Sequence, residues 1–145
     1  MKKEILFRKC FKKNGKYYSE YPSFEYPKEG WIEAPDWNPN PTWDGGLSAL
    51  RPGDDYAFLS GDTWQVFLDY EDLVNLPYAV KVRKGYVISD IDIKKYKKEF
   101  LKDPLWAYYY ALNIDEKPSK QTRESAYKDS LWEKQYRQWE KGKTK

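Results

Sequence analysis

The run ILFRKCFKKNGKYYSEY, residues 5–21, reads as a β-hairpin and makes the start of the chain antiparallel β structure. Apolar residues alternate along Ile5–Phe11 and put Ile5, Phe7 and Phe11 on one face. Asn14-Gly15 is the strongest hairpin signal in the chain, because both central residues of a type I′ turn need positive φ. The return strand spans Lys16–Tyr21 and Pro22 ends it. Phe24 and Tyr26 alternate beyond it and extend the sheet as an edge that Pro27 closes.

Working outward, Tyr56–Ser60 and Trp64–Tyr70 are two aromatic runs separated by Gly61-Asp62-Thr63, the pattern of a second hairpin. Residues 71–76, EDLVNL, read as a helical turn with acids at its N-terminus. Tyr78–Ile88 alternates as a strand with one buried and one basic face, interrupted at Gly85. The last third turns helical. Residues 92–102 place Ile93, Tyr96, Phe100 and Leu101 on one stripe and lysines on the other. Asp103-Pro104 is an N-cap followed by proline at the first helical position, and residues 105–112, LWAYYYAL, are expected to be mostly buried. A final helix is expected from Ser119 or Thr122 to Lys141, stopped at Gly142, with Trp132, Tyr136 and Trp139 on a stripe that Tyr127 and Leu131 widen. The sum is an α+β fold: an antiparallel sheet of N-terminal hairpins with two or three C-terminal helices against it. A single domain is expected over 1–145, mainly β to residue 90, helical over 91–141, with 142–145 a frayed tail.

One stretch fits neither period. Residues 31–55, WIEAPDWNPNPTWDGGLSALRPGDD, hold three tryptophans, four prolines, Gly45-Gly46 and the acids Asp36, Asp44, Asp54 and Asp55. An ordered loop or a series of turns is expected there, and long loops inside compact domains commonly carry function.

Composition narrows the chemistry. The 145 residues are 40% hydrophobic and 19% aromatic, enough for a packed core, and no apolar run approaches a bilayer's thickness. Arg8 and Lys9 break the N-terminal apolar run too early for a signal peptide. Cys10 is the single cysteine, which precludes an internal disulfide and fits a reducing cytosol. Because histidine is absent, Ser-His-Asp and Cys-His catalysis and His-ligated zinc cannot be assembled from this chain alone. Cys10, on a strand beside Lys9 and Lys12, reads as a small packed residue rather than a nucleophile.

The net charge of +3 hides a segregation: residues 1–16 carry a net +6, residues 17–80 a net −10 and residues 81–145 a net +7. Either the acidic middle faces the basic ends within one fold, or it faces a charged partner.

Pro35-Asp36-Trp37-Asn38-Pro39, Pro41, Gly45-Gly46-Leu47 and Leu50, with Trp64–Asp69 and Lys81-Val82-Arg83 further on, resemble a family of small uncharacterised phage and bacterial proteins. That pattern carries a Cys and a His where this chain has Trp43 and Ser48, so any metal or catalytic role of those two residues is lost here. The resemblance implies a phage or mobile-element source and, by it, action inside a host cell.

Four functions compete for these residues. An interaction protein would use the loop's tryptophans as rigid anchors and its acids against a basic surface. A binder of a small nucleotide or sugar would stack rings on Trp and Tyr and approach a phosphate with Gly45-Gly46. Direct nucleic-acid binding would fall to Lys94, Lys95, Lys97 and Lys98, though solvated helix faces look the same. An enzyme would gather Asp36, Asp44, Asp54 and Asp55 around a cation or use them as an acid/base pair. The expectation is a non-enzymatic, cytoplasmic interaction protein without cofactor or metal, an inhibitor of a host defence protein with a basic surface. Trp37, Trp43, Asp36, Asp44, Gly45, Gly46, Asp54 and Asp55 are its expected binding residues. A small-nucleotide or nucleic-acid binder or modifier using the same loop is the alternative, and no membrane partner is expected.

Overall fold

In the computed structural model, which describes residues 4–19, 24–55 and 61–143, the Asn14-Gly15 turn closes the expected hairpin. Asn14 lies at φ 52° and Gly15 at 75°. They join β1 (Leu6–Lys13) to β2 (Lys16–Tyr18), with Lys13 opposite Lys16. β3 (Glu25–Tyr26) then forms the edge beside β2.

The chain divides into two compact units, Met1–Ile91 and Asp92–Lys145. In the first, β4 (Glu29–Glu33), β6 (Thr63–Glu71) and β9 (Lys84–Ser89) complete a six-stranded antiparallel sheet in the order β3-β2-β1-β6-β9-β4. A second sheet has β8 (Ala79–Val82) between β5 (Leu47–Ala49) and β7 (Val74–Leu76). Paired hydrogen bonds of 2.8 Å between Phe7 and Leu50 join the two sheets. Leu6, Cys10, Phe67 and Val87 of the first meet Leu47, Ala49, Val80 and Val82 of the second in one core.

Several expectations need correction. β1 is buried on both faces from Leu6 to Cys10 apart from half-buried Lys9, while Phe11, expected on one face with Ile5 and Phe7, is 39% exposed. Residues 71–76 are not helical: Glu71 ends β6, Asp72 turns the chain at φ 58°, and Val74–Leu76 pairs with β8. The β7–β8 link is Pro77-Tyr78 with Tyr78 at φ 63°, proline followed by positive φ as in a type II turn. The strand expected over 78–88 breaks at Arg83, where the chain leaves one sheet for the other. Gly85 lies inside β9 instead, and a β-carbon there would stand 2.7 Å from the Phe67 ring. β6 pairs with β1 and β9. Its expected partner, Tyr56–Ser60, and the end of the first return strand at Tyr21-Pro22 lie outside the described residues.

The second unit is helical. Asp92 caps a 3-10 turn (Ile93–Tyr96) that runs into α1 (Lys97–Phe100). The Asp103 carboxylate accepts from Trp106 N–H at 3.1 Å and starts α2 (Pro104–Tyr109), as the Asp-Pro pair requires. A π-helical stretch, Tyr110–Asp115, continues α2 and stops at Glu116, φ 58°. Phe100, Trp106 and Tyr110 pack ring on ring beneath these turns.

The single final helix is two. α3 (Lys120–Ala126) starts on the Ser119 cap, and α4 (Ser130–Lys143) starts where Asp129 accepts from Leu131 N–H at 2.9 Å. Gly142 lies within α4 rather than ending it, and Leu131 is 54% exposed instead of widening the buried stripe. Tyr136 is fully buried, its hydroxyl among Thr122 Oγ1 at 2.8 Å, Ser119 N at 3.1 Å and Ser119 O at 3.3 Å. Tyr108, Tyr127, Trp132 and Trp139 surround it. No helix among the described residues is long and apolar enough to cross a membrane.

Candidate functional site

The stretch expected as one loop over 31–55 is three things: the end of β4 (Trp31–Glu33), a loop over residues 34–46, and β5 followed by a turn at residues 51–55. The loop is held by its own short-range chemistry. The Asn38 side chain accepts from Asn40 N–H at 3.0 Å, Thr42 N–H donates to the Asn40 carbonyl at 2.7 Å, and Gly46 N–H donates to the Asp36 carboxylate at 3.3 Å. Gly45 has φ 66°, and a β-carbon there would stand 2.1 Å from the Asp36 carbonyl oxygen. Only glycine lets the two limbs of the loop touch at that point.

Lys81 holds the loop from below. Expected on the basic, solvent-facing side of a strand, it is 1% exposed, in a β8 buried at every residue. Its ammonium donates to the Asp44 carbonyl at 2.8 Å and lies 5.6 Å from the centroid of the Trp37 ring. Burial pulls its pKa below the ordinary lysine value, while Asp44 and Asp36 partly restore it. Trp37 is half-buried and packs against the core of its unit. It therefore serves as ballast for the loop.

Trp43 differs. It stands 50% exposed on the loop, with Asp36 and Asp44 also exposed. Among the described residues no ion pair engages Asp36 or Asp44, in contrast to Glu33, Glu71 and Asp72, all of which pair with Arg83. Part of the acidic middle segment is thus ion-paired within its own unit, whereas the loop's acids have only the nearby charge of Lys81. Trp31 is 47% exposed, but on β4, edge-on to Tyr86 at 5.7 Å with Lys84 over its ring.

The expected binding residues therefore separate. Asp36, Trp37, Trp43, Asp44, Gly45 and Gly46 share the loop. Asp54 and Asp55 belong to the turn after β5, a correction to their grouping with the loop: the Asp54 carboxylate accepts from Arg51 N–H at 2.7 Å, and Asp55 N–H donates to the Tyr78 carbonyl at 3.2 Å. Among the described residues no three acidic or cysteine side chains gather in a way that could hold a metal ion. Cys10 is buried, and burial pushes its thiol up to about 11, far from a nucleophile's poise. Of the lysines considered for nucleic acid, Lys97 pairs with Asp115 at 3.5 Å, and Lys94, Lys95 and Lys98 are exposed.

Arg8 is the residue that sequence reasoning missed altogether. On β1 it is 9% exposed, its guanidinium stacked on the Tyr26 ring at 4.3 Å. Its Nη1 donates to the Ser48 carbonyl at 2.9 Å and to the Tyr26 hydroxyl. Little in the sequence marks it: Phe7 precedes it but Lys9 follows, and a pair of cations in a strand reads as solvent-facing. No protein-family model matches this chain, and no curated protein and no solved structure matches it.

Proposed function

We propose that the protein is a non-enzymatic interaction protein that grips a basic surface of another protein with the loop at residues 34–46. The observation that carries this reading is Trp43, a tryptophan half in solvent on a loop that buried Lys81 and Trp37 fix from beneath. A large aromatic on a pre-organised loop loses little entropy when it docks, and such residues dominate interface energetics. Asp36 and Asp44 beside it favour a cationic partner and speed its approach. In the phage setting that the Pro-Asp-Trp-Asn-Pro resemblance implies, that partner is a host defence protein whose basic surface ordinarily holds nucleic acid, and occupying the surface inhibits it.

The test is affinity capture from nuclease-treated host lysate with three forms of the protein: unaltered, Trp43→Ala, and Asp36→Asn/Asp44→Asn, which keeps a side-chain oxygen for Gly46 N–H. The expected outcome is one host protein retained by the unaltered form, lost or weakened at least a hundredfold with Trp43→Ala, and weakened at least tenfold with the charge removal, while Trp43→Ala keeps the original unfolding free energy within about 0.5 kcal/mol. A partner held equally by all three forms, or a Trp43→Ala protein that unfolds early, refutes the assignment of the loop as the contact.

A further inference from the structure

β4 is an edge strand of the six-stranded sheet, and its ladder to β9 fixes which way each of its backbone groups points. At its two ends, Ser89 N–H donates to the Lys28 carbonyl and Ala34 N–H donates to the Arg83 carbonyl, both at 2.8 Å. In an antiparallel pair every second residue bonds to the neighbouring strand, so Lys28, Gly30, Ile32 and Ala34 face β9. Glu29, Trp31 and Glu33 therefore turn their N–H and C=O groups outward, where none of the described residues bonds to them. The open edge is five residues long, against two at β3 on the far side of the sheet. An unpaired ladder of that length is a template for one more strand.

The side chains of β4 select the occupant. Glu29, Trp31 and Glu33 stand on one face, all exposed, with the tryptophan between two acids. A second copy of the chain overlapping all five residues about Trp31 would set Glu29 opposite Glu33 twice, and like charges directly opposite each other destabilise a strand pair. Shifting that register by two residues either way brings in Pro27 or Pro35, which have no N–H to give. A basic segment meets the opposite situation. Among the described residues Glu29 has no ion pair and accepts from the Tyr86 hydroxyl, while Glu33, Glu71 and Asp72 share Arg83, with Lys84 beside Glu71. Carboxylates thus outnumber cations around this edge. We propose that β4 is a strand-addition site for an extended basic segment of another protein. The segment pairs through its backbone with Glu29, Trp31 and Glu33, sets cations against the two glutamates and lays a β-branched side chain on the Trp31 ring. This edge is distinct from Trp43 on the loop, and the inference does not rest on the loop contact.

The experiment is a titration of the ¹⁵N-labelled full chain with a capped nine-residue peptide, threonine throughout except for arginine at its third and seventh positions and valine at its fifth. Saturable shifts at Glu29, Trp31 and Glu33 are expected, and at saturation their amide exchange should slow at least tenfold, because those N–H groups gain acceptors. A peptide with glutamate in place of arginine should bind at least tenfold more weakly. Methylating the backbone nitrogen of the valine, which faces Trp31, should abolish binding, whereas methylating that of the fourth residue, which faces away, should spare it. Glu29→Gln/Glu33→Gln keeps the strand and should weaken the arginine peptide roughly threefold to tenfold. Trp43→Ala should leave its affinity unchanged, which separates this edge from the loop contact. The absence of saturable binding, equal affinity for the arginine and glutamate peptides, or undiminished binding of the valine-methylated peptide would each overturn the assignment. So would a peptide-free dimer in which exchange at Glu29, Trp31 and Glu33 is already slow, since the occupant would then be a second copy.

Discussion

Replacing Lys81 by Met separates the stability of the fold from the rigidity of the loop. Methionine fills nearly the same buried volume on β8 and removes one charge, the 2.8 Å hydrogen bond to the Asp44 carbonyl and the contact with the Trp37 ring. Two effects then oppose each other. A hydrogen bond from a charged donor contributes about 1.5–3 kcal/mol and the cation–π contact about 1 kcal/mol. Against them stands the desolvation of a buried ammonium, several kcal/mol even in a real protein, which methionine relieves. Burial already lowers the pKa of Lys81, the mark of a charge held at some expense. Global unfolding in urea should therefore shift by no more than about 1 kcal/mol, in either direction. The loop has no such compensation. Losing 1.5–3 kcal/mol of local restraint should speed native-state amide exchange across residues 42–46 by roughly tenfold to a hundredfold, while the amides of β6 and β9 keep their protection. A global loss above about 3 kcal/mol with unchanged loop exchange would show that Lys81 supports the core and that the loop is rigid for another reason.

Three further outcomes follow from the packing. Gly85→Ala puts a methyl 2.7 Å from the fully buried Phe67 ring, so it should cost about 1–3 kcal/mol by denaturant titration; a neutral result would mean that β9 shifts freely against β6. Tyr136→Phe removes the hydroxyl that Thr122 and Ser119 share and should cost about 1–2 kcal/mol, with loss of helix at the start of α3 seen in Lys120–Thr122 amide exchange. The third is a pH effect at Asp90, whose carboxyl is held below the usual carboxylate range first by its hydrogen bond from Lys12 and then by the charges of Lys12 and Lys28. With its folded pKa depressed, its contribution is complete above about pH 4 and is lost as pH falls through the folded value. Asp90→Asn should therefore flatten, without abolishing, the fall in stability below about pH 4, because Asp62 is depressed as well; an acid limb of unchanged slope would count against the Lys12–Asp90 pair.

What the sequence disclosed was local. Asn14-Gly15, Asp103-Pro104 and Ser119 each act through bonds within four residues of themselves, and each does in the structure what its chemistry requires. The failures came where a distant partner overrode a local preference. Val74–Leu76 pairs with β8 because Asp72 and Tyr78 accept positive φ, which neither residue advertises. At the Arg83 break the backbone has distant partners: Arg83 N–H donates to the Glu71 carbonyl at 3.1 Å and its own carbonyl accepts from Ala34 N–H at 2.8 Å, neither of them near it in sequence. The division of the last helix was readable in principle, since Asp129 lies one residue before α4 and caps it, but the aromatic stripe through Trp132, Tyr136 and Trp139 masked that signal. Lys81 and Arg8 were least legible of all, because a cation in a strand is ordinarily a solvent-facing residue.

Those two cations share a logic. Arg8 from β1 holds the carbonyl of Ser48, and Lys81 from β8 holds the carbonyl of Asp44, four residues apart on the same limb of chain. Carboxylates would be the stronger partners, yet the nearby ones, Asp36 and Asp44, remain exposed outside. The result is that the acids stay out of ion pairs: among the described residues neither Asp36 nor Asp44 has one, although the charges of both act on Lys81. A buried cation that grips a carbonyl fixes the backbone without consuming an acid, so the loop can be rigid and anionic at once. An ion pair in the same place would give the rigidity but cancel the charge, and a purely apolar floor would spare the charge but leave the Asp44 carbonyl unbound. A loop that had only to close the chain would need neither property; one that must present Trp43 and two acids in a fixed arrangement to a cationic surface needs both.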